Sequence, residues 1–179
     1  GSILVSAISA NTAPKVGLLN IGAEAIKGNE TVKQAAILLQ QRQDINYIGF
    51  VEGDDIYKGV ADVVVCDGFV GNVALKASEG VAKMMLNFTK QEFERNIFTK
   101  LAGLLCRPIL RKVFNRFDPN KYNGGSLLGL QGVVLKSHGG ANIESFSMAV
   151  RKAVKEVQVN VPDKIRENVT AKLGDVELL

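Results

Sequence analysis

Lys15-Val-Gly-Leu-Leu-Asn20, Tyr47-Ile-Gly-Phe-Val51 and Ala61-Asp-Val-Val-Val65 are three short apolar runs, each closed by polar residues or turn formers. They read as strands buried on both faces, the last of them rich in β-branched residues. Between the first two, from Asn29 to about Gln43, Val32, Ala35, Ala36 and Leu39 fall at i, i+3, i+4 and i+7, the spacing of an amphipathic helix. Strand, helix, strand, short connection, strand predicts a mostly parallel sheet and an α/β fold class.

Outward from this unit, residues 3–9 are weakly helical. Downstream, Val73, Ala77, Gly80, Val81, Met84 and Phe88 mark an apolar stripe. Phe93, Ile97, Leu101, Leu104 and Leu105 continue it, and Ile109, Leu110, Val113, Phe114 and Phe117 resume it after Pro108. This predicts a protruding helical hairpin over about 72–116 with its tip near residues 100–108. A turn-rich loop follows at 118–126. Short strands are expected at 127–130 and 133–135 around Gly132, then helices at 143–157 and 165–173. Three parallel strands are few for a sheet that must be covered on both faces. The 179 residues are therefore expected to form one α/β domain, 1–179, that is part of a bigger architecture. The start, Gly1-Ser2-Ile3-Leu4, has neither an initiator Met nor a charged n-region. It reads as a chain cut from something longer, or as one carrying two added residues.

Composition narrows the function classes. Hydrophobic residues are 46% and charged residues 22%, enough to bury a core. No run approaches the roughly 20 apolar residues of a spanning helix. Two cysteines, Cys66 and Cys106, make no disulfide framework, and no metal-ligand spacing is present. A reducing cytoplasm is the default for such a chain. The single histidine, His138, excludes mechanisms that need two. Without Trp and with 6% aromatics, a stacking platform for nucleic acid is not expected. The net charge of +4 is uneven: residues 83–121 hold nine Lys or Arg against three acids, a local +6 that leaves −2 elsewhere. A local basic patch implies an acidic partner or surface.

Open α/β sheets bind ligands outside the carboxyl ends of their strands, which singles out four segments. In the first, Asn20 is followed by Lys27, Gly28 and a helix start, an arrangement suited to an anion or to an ordinary helix cap. The second, Cys66-Asp-Gly-Phe-Val-Gly-Asn72, leads into a helix carrying Lys76. Gly68 and Gly71 allow close backbone approach. Asp67 fits an acid/base or a helix cap, and Cys66 a small buried hydrophobe rather than a nucleophile. The third, Tyr122-Asn-Gly-Gly-Ser126, offers Gly124, Gly125, Ser126 and nearby amides to a phosphate, or is simply a loop. The fourth, Lys136-Ser137-His138-Gly-Gly140, places a histidine between a strand end and a helix start, where an acid/base or binding role is favoured over a structural one.

Together these segments resemble a known family. Val16-Gly-Leu-Leu-Asn-Ile-Gly22 with Lys27-Gly-Asn-Glu30, Gly59-Val-Ala-Asp-Val-Val-Val-Cys-Asp-Gly-Phe-Val-Gly-Asn72 with Leu75-Lys76, Tyr122-Asn-Gly-Gly-Ser-Leu-Leu-Gly-Leu130 and Lys136-Ser-His-Gly139 are similar, in order, to the C-terminal half of the phosphate acyltransferase of bacterial phospholipid synthesis, the PlsX family. The family's N-terminal half, with its own Gly-rich loop, has no counterpart here. The resemblance implies a three-layer α/β/α sandwich, a homodimer, and transfer of a long-chain acyl group from acyl carrier protein to inorganic phosphate without metal or organic cofactor. It also implies that the acyl phosphate passes to a membrane-bound acyltransferase, and that the protein is cytoplasmic and peripheral to the inner face of the cell membrane. On that reading Asp67, Asn72, Lys76 and His138 are the catalytic candidates. Asn20, Lys27, Gly28, Gly68, Gly71, Gly124, Gly125, Ser126, Lys136 and Ser137 bind phosphate or substrate. Attack by phosphate is direct, with no acyl-enzyme; Lys76 and Lys136 hold the phosphate, Asn72 or an N–H of residues 68–71 serves the oxyanion, and His138 or Asp67 protonates the leaving thiolate. Asp67, Asn72, Lys76, Lys136 and His138 are expected to line one cleft. Leu101, Leu104 and Leu105, with Arg107, Arg111 and Lys112, are expected to meet the membrane or the carrier protein. An acyl-CoA–phosphate transferase of the acetyl or butyryl type, and a non-catalytic binding fragment, are the competing readings.

Overall fold

The computed structural model describes residues 1–9, 11–114 and 123–174. Phe117, Tyr122, the last residues of the expected hairpin (115–116) and residues 118–122 of the expected turn-rich loop lie outside them. In chain order the elements are α1 (Ser2–Ile8), β1 (Val16–Leu19), α2 (Glu30–Gln40), β2 (Tyr47–Val51), α3 (Asp55–Lys58), β3 (Val63–Val65), α4 (Gly68–Glu94), α5 (Ile97–Phe114), β4 (Gly125–Ser126), β5 (Leu135–Lys136), α6 (Ile143–Gln158) and α7 (Val161–Gly174).

The α/β expectation holds. β1 is the middle strand of a parallel sheet in the order β2-β1-β3. It is apolar on both faces because both are covered: Val16, Gly17 and Leu18 are buried, and Val51 joins them from β2. Polar side chains pin the amino ends of the strands. Asp62 Oδ2 accepts from the Lys15 N–H (2.7 Å), and the Asn46 amide donates to the Ala13 carbonyl (2.9 Å). α2 packs on β1 and β2 through its half-buried side, with Ala36 buried. A second helical group, α1 with α6 and α7, carries the short antiparallel pair β4–β5 on α6.

Three boundaries differ from the sequence reading. α4 starts at Gly68, so Gly68, Phe69, Val70, Gly71 and Asn72 are helical rather than a Gly-rich loop. The cause is Asp67, whose carboxylate accepts from the Phe69 and Val70 N–H groups (2.9 and 3.0 Å) and caps the helix. The hairpin turns at Arg95 and Asn96, not at 100–108. Asn96 accepts from the Phe98 and Thr99 N–H groups while Thr99 Oγ1 accepts from Asn96 N–H, a reciprocal cap that starts α5 (3.0 Å each). Pro108 lies inside α5, at the cost of the bond its missing N–H would make to Leu104. Finally, Leu127 to Val134 turns between β4 and β5 instead of forming the strands 127–130 and 133–135. Gly129, at φ +86°, ends the extended run.

α5 divides cleanly by face. Gly103, Cys106, Leu110 and Phe114, at i, i+3, i+7 and i+11, are half-buried on the hairpin's inner side, where Gly103 leaves room for the Phe93 ring of α4. Ile97, Phe98, Leu101, Leu104, Leu105 and Ile109 are left exposed on the other side.

The buried hydroxyl of Ser145 on α6 meets no partner among the described residues. An unpaired buried hydroxyl costs about 1–3 kcal/mol. Ser145→Ala is therefore expected to keep or raise the midpoint of chemical denaturation; a loss of more than about 1 kcal/mol would mean that the hydroxyl is paired.

Candidate functional site

Because β1, β2 and β3 are parallel, their carboxyl ends meet at one edge, and the loops after β1 and β3 leave from adjacent strands. The β1 loop folds back on itself. Asn20 N–H donates to the Val51 carbonyl (2.9 Å), extending the sheet, and its side-chain amide donates to the Lys27 carbonyl (3.1 Å). Gly28 completes the interlock. Its φ of +94° suits glycine, and a Cβ there would lie 2.3 Å from Asn20 Oδ1. Lys27 is not an uncommitted cation: Glu24 pairs with it at 2.8 Å. Their hydrogen bond pulls the Glu24 carboxyl below its ordinary range and pushes the Lys27 ammonium above its own. Asn29 caps α2 by accepting from Val32 N–H (2.9 Å).

At the end of β3, Asp67 is committed to its cap, and Gly71 N–H is bonded to the Asp67 carbonyl (3.0 Å). Of the N–H groups expected to serve an oxyanion, those of residues 69–71 are thus engaged within the helix. Cys66 is exposed, not the buried hydrophobe expected from the sequence, because β3 is an edge strand and the chain turns outward after it; partial desolvation and then the Asp67 charge still push its thiol up, so it stays protonated at neutral pH and is a poor nucleophile.

One and a half turns into α4, Asn72 is exposed and shares a face with Lys76, four residues on. Lys76 Nζ pairs with Glu79 (3.1 Å) and lies 3.5 Å from Nε2 of His138, more than sixty residues away in sequence. Lys76 holds the Glu79 carboxyl below its ordinary range. The stability this adds is present above the unfolded carboxyl value and is lost as pH falls through the lowered folded one. The pair therefore persists across the neutral range.

The His138 ring has an assignable tautomer. Its Nδ1 accepts from the Gly140 N–H (3.1 Å), so the neutral ring carries its proton on Nε2. The Lys76 ammonium and Nε2–H are then two donors facing one another. They cannot satisfy each other, but together they suit one shared acceptor, such as an anion oxygen.

The remaining candidates separate. Asp67 stands about 13 Å along α4 from Lys76 by helical rise, with its carboxylate spent on the cap. The expected convergence of five residues is seen in one direct contact, Lys76 with His138. Lys136 is exposed on β5, opposite Gly125. Gly124 and Ser126 are tied into the scaffold instead of lying open: Lys152 Nζ donates to the Gly124 carbonyl (2.7 Å) and Ser126 Oγ donates to Glu156 (2.5 Å). Ser137 Oγ accepts from the Asn123 amide (2.8 Å). Asn123, which sequence reasoning passed over, is buried and touches both Ser137 and His138. The only sequence signal for this support is the α6 stripe Ser145, Ala149, Lys152, Glu156. On α5, Leu101, Leu104 and Leu105 are exposed, as are Arg107, Arg111 and Lys112. Among the described residues no cluster of three His, Cys, Asp or Glu could hold a metal, and no helix is long and apolar enough to cross a membrane. A cleft of about 700 Å³ opens at the opposite edge of the sheet, beside Ser6, Pro14, Tyr47 and Lys164, and holds none of these candidates.

Residues 1–164 match the family model described as fatty acid synthesis protein. The chain belongs to that family. It is 56% identical over 169 residues to a phosphate acyltransferase of Legionella pneumophila (strain Corby), covering 94% of this chain and 49% of that protein. It is 52% identical over 179 residues to one from Nitrosococcus oceani, covering 100% and 52%. It is 57% identical over 170 residues to one from Methylococcus capsulatus, covering 95% and 50%. The chain spans about half the length of the curated relatives it matches. The resemblance drawn from the motifs agrees with this family.

The cap assigns Asp67 a separable role. Asn caps as well as Asp, whereas Ala loses about 1 kcal/mol. Asp67→Ala is expected to lower unfolding free energy by that amount and Asp67→Asn to leave it within a few tenths of a kcal/mol. Denaturant unfolding of both variants checks this, and equal losses would contradict the assignment.

Proposed function

We propose that the protein of which this chain is a part moves a long-chain acyl group from acyl carrier protein to inorganic phosphate, releasing acyl phosphate for phospholipid synthesis. The observation that carries this reading is the donor pair of Lys76 Nζ and His138 Nε2–H, 3.5 Å apart and open to solvent. The phosphate acyltransferase relatives support it.

In this reading phosphate displaces the Glu79 carboxylate from Lys76 Nζ and sits between the two donors, its charge met by Lys76 and its orientation set by both. A phosphate oxygen attacks the thioester carbonyl carbon. Asn72, one turn before Lys76 on the same face, donates to the oxyanion of the tetrahedral intermediate. The C–S bond then breaks, the acyl–oxygen bond of acyl phosphate remains, and the departing thiolate, facing the Nε2–H of His138, takes the proton that the hydrogen phosphate nucleophile releases on becoming acyl phosphate. Asp67 and Gly68 build the helix start, and Asn20, Lys27 and Gly28 shape the neighbouring strand-end loop. No step needs a cofactor. The larger architecture is a three-layer α/β/α sandwich, with this chain as one α/β domain of it.

The exposed side of α5 supports a surface role. It carries Leu101, Leu104 and Leu105, with Lys100, Arg107 and Arg111 at i, i+7 and i+11 along one flank and no acid anywhere in the helix. Such a face lies in the headgroup region of an anionic membrane, each cation adding on the order of 1 kcal/mol. The same basic flank suits the acidic carrier protein. Met84, Met85 and Phe88 on α4 are exposed and suit a homodimer contact. A cytoplasmic protein bound to the inner face of the cell membrane follows from this placement.

Two experiments test the reading. Acyl phosphate formation by the whole protein is measured with acyl carrier protein or coenzyme A as donor. Lys76→Met and His138→Gln are each expected to reduce turnover by about 10²-fold or more. Retention of activity in both, or a preference for short acyl-CoA, contradicts it. In liposome flotation, Leu104→Glu is expected to weaken binding to anionic vesicles. Unchanged flotation with Leu104→Glu, and carrier-protein binding lost in Arg111→Glu, would assign the face to the protein partner instead.

A further inference from the structure

One buried side chain ties together the pieces that hold His138. Asn123 is 8% exposed, and its amide spends every group it has. One Nδ2 hydrogen goes to Ser137 Oγ (2.8 Å) and the other to the Ser145 carbonyl in the first turn of α6 (3.0 Å). Its Oδ1 accepts from the main-chain N–H of His138 (2.8 Å). The imidazole is then restrained at its far end by the Gly140 N–H on Nδ1. A restraint on the backbone and another on the ring leave Nε2 facing Lys76.

The segment that runs from Asn123 into β4 is held by the same stripe of α6. Gly124, at φ +97°, lies so close to Ala149 that a Cβ would come within 3.1 Å of it. Lys152 holds the Gly124 carbonyl, and Glu156, 2% exposed, takes the Ser126 hydroxyl. Ser145, Ala149, Lys152 and Glu156 recur at i, i+4, i+7 and i+11, one helix face. Asn123 is the only member of this clamp that bonds to both Ser137 and His138 among the described contacts. An Asp in its place would keep an acceptor for the His138 N–H but lose both donors and turn a carboxylate toward the Ser145 carbonyl.

We infer that Asn123 is a positioning residue: by pinning the main-chain N–H of His138 it lets the ring meet Gly140 through Nδ1 and present Nε2–H beside Lys76. The inference rests on the proposed transfer site, but its readout does not need acyl transfer. ¹⁵N spectra of the neutral His138 ring in the whole protein, assigned by the signal that His138→Gln removes, are expected to show an unprotonated Nδ1 and a protonated Nε2. Asn123→Ala is expected to mix the two tautomers and to lower kcat by about 10²-fold, the scale of a misplaced catalytic group, with the KM for the acyl donor little changed. Asn123→Asp, which keeps the acceptor, is expected to fall between, and carries both readouts should Asn123→Ala not fold. Lys152→Met removes a clamp contact without touching an Asn123 bond; it is expected to cost stability and leave the His138 tautomer as it was. A folded Asn123→Ala with native His138 spectra and native kcat overturns the inference. A changed tautomer with unchanged turnover upholds the positioning and overturns the assignment of His138 to transfer.

Discussion

The parallel pairing of β1 with strands on both sides is the constraint on which the molecule depends. Its buried Val16, Gly17 and Leu18 admit no partner but another apolar strand, and pairing both edges in parallel sends all three carboxyl ends to one edge. That edge carries the Asn20–Lys27–Gly28 interlock and the Asp67 cap. The cap in turn sets where α4 begins, and hence which face of that helix carries Asn72 and Lys76 toward His138.

The site is therefore a joint between two units. The sheet and α4 supply a cation on a helix face. The β4–β5 pair on α6 supplies a histidine whose ring and backbone are both restrained. The Lys76 and His138 donors thus come one from each unit. Polarity is distributed accordingly: charges near the strand ends are compensated locally, Lys27 by Glu24 and Asp67 by helix N–H groups. At Lys76 the ammonium has Glu79 on one side and the donor Nε2–H on the other. The exposed apolar residues of α4 and α5 are those that the proposed homodimer and membrane contacts would cover.

β1 and α2 were legible because burial on both faces and a 3.6-residue period leave direct marks on sequence; β2 and β3 were legible as apolar and β-branched runs, though as edge strands they are half-buried, with Ile48 and Val65 exposed, rather than buried on both faces. The segments of the site were legible as strand ends and helix starts. Their roles were less so. Asp67 followed by two glycines reads equally as a loop acid or as a cap, and only the bonds to Phe69 and Val70 decide it. Pro108 suggested a break, but the reciprocal cap of Asn96 and Thr99 sets the turn a dozen residues earlier. Asn123 looked like part of a flexible Gly-rich loop. Its importance comes from long-range partners, Ser137, His138 and Ser145, which no local pattern encodes.

The central claim is that Lys76 and His138 Nε2–H share one anion. Titrating the protein with inorganic phosphate while following the His138 Nε2–H resonance tests it directly. The account predicts a saturable shift at that nitrogen that disappears in Lys76→Met and persists in Asp67→Asn. A resonance indifferent to phosphate in a protein that still forms acyl phosphate would contradict it.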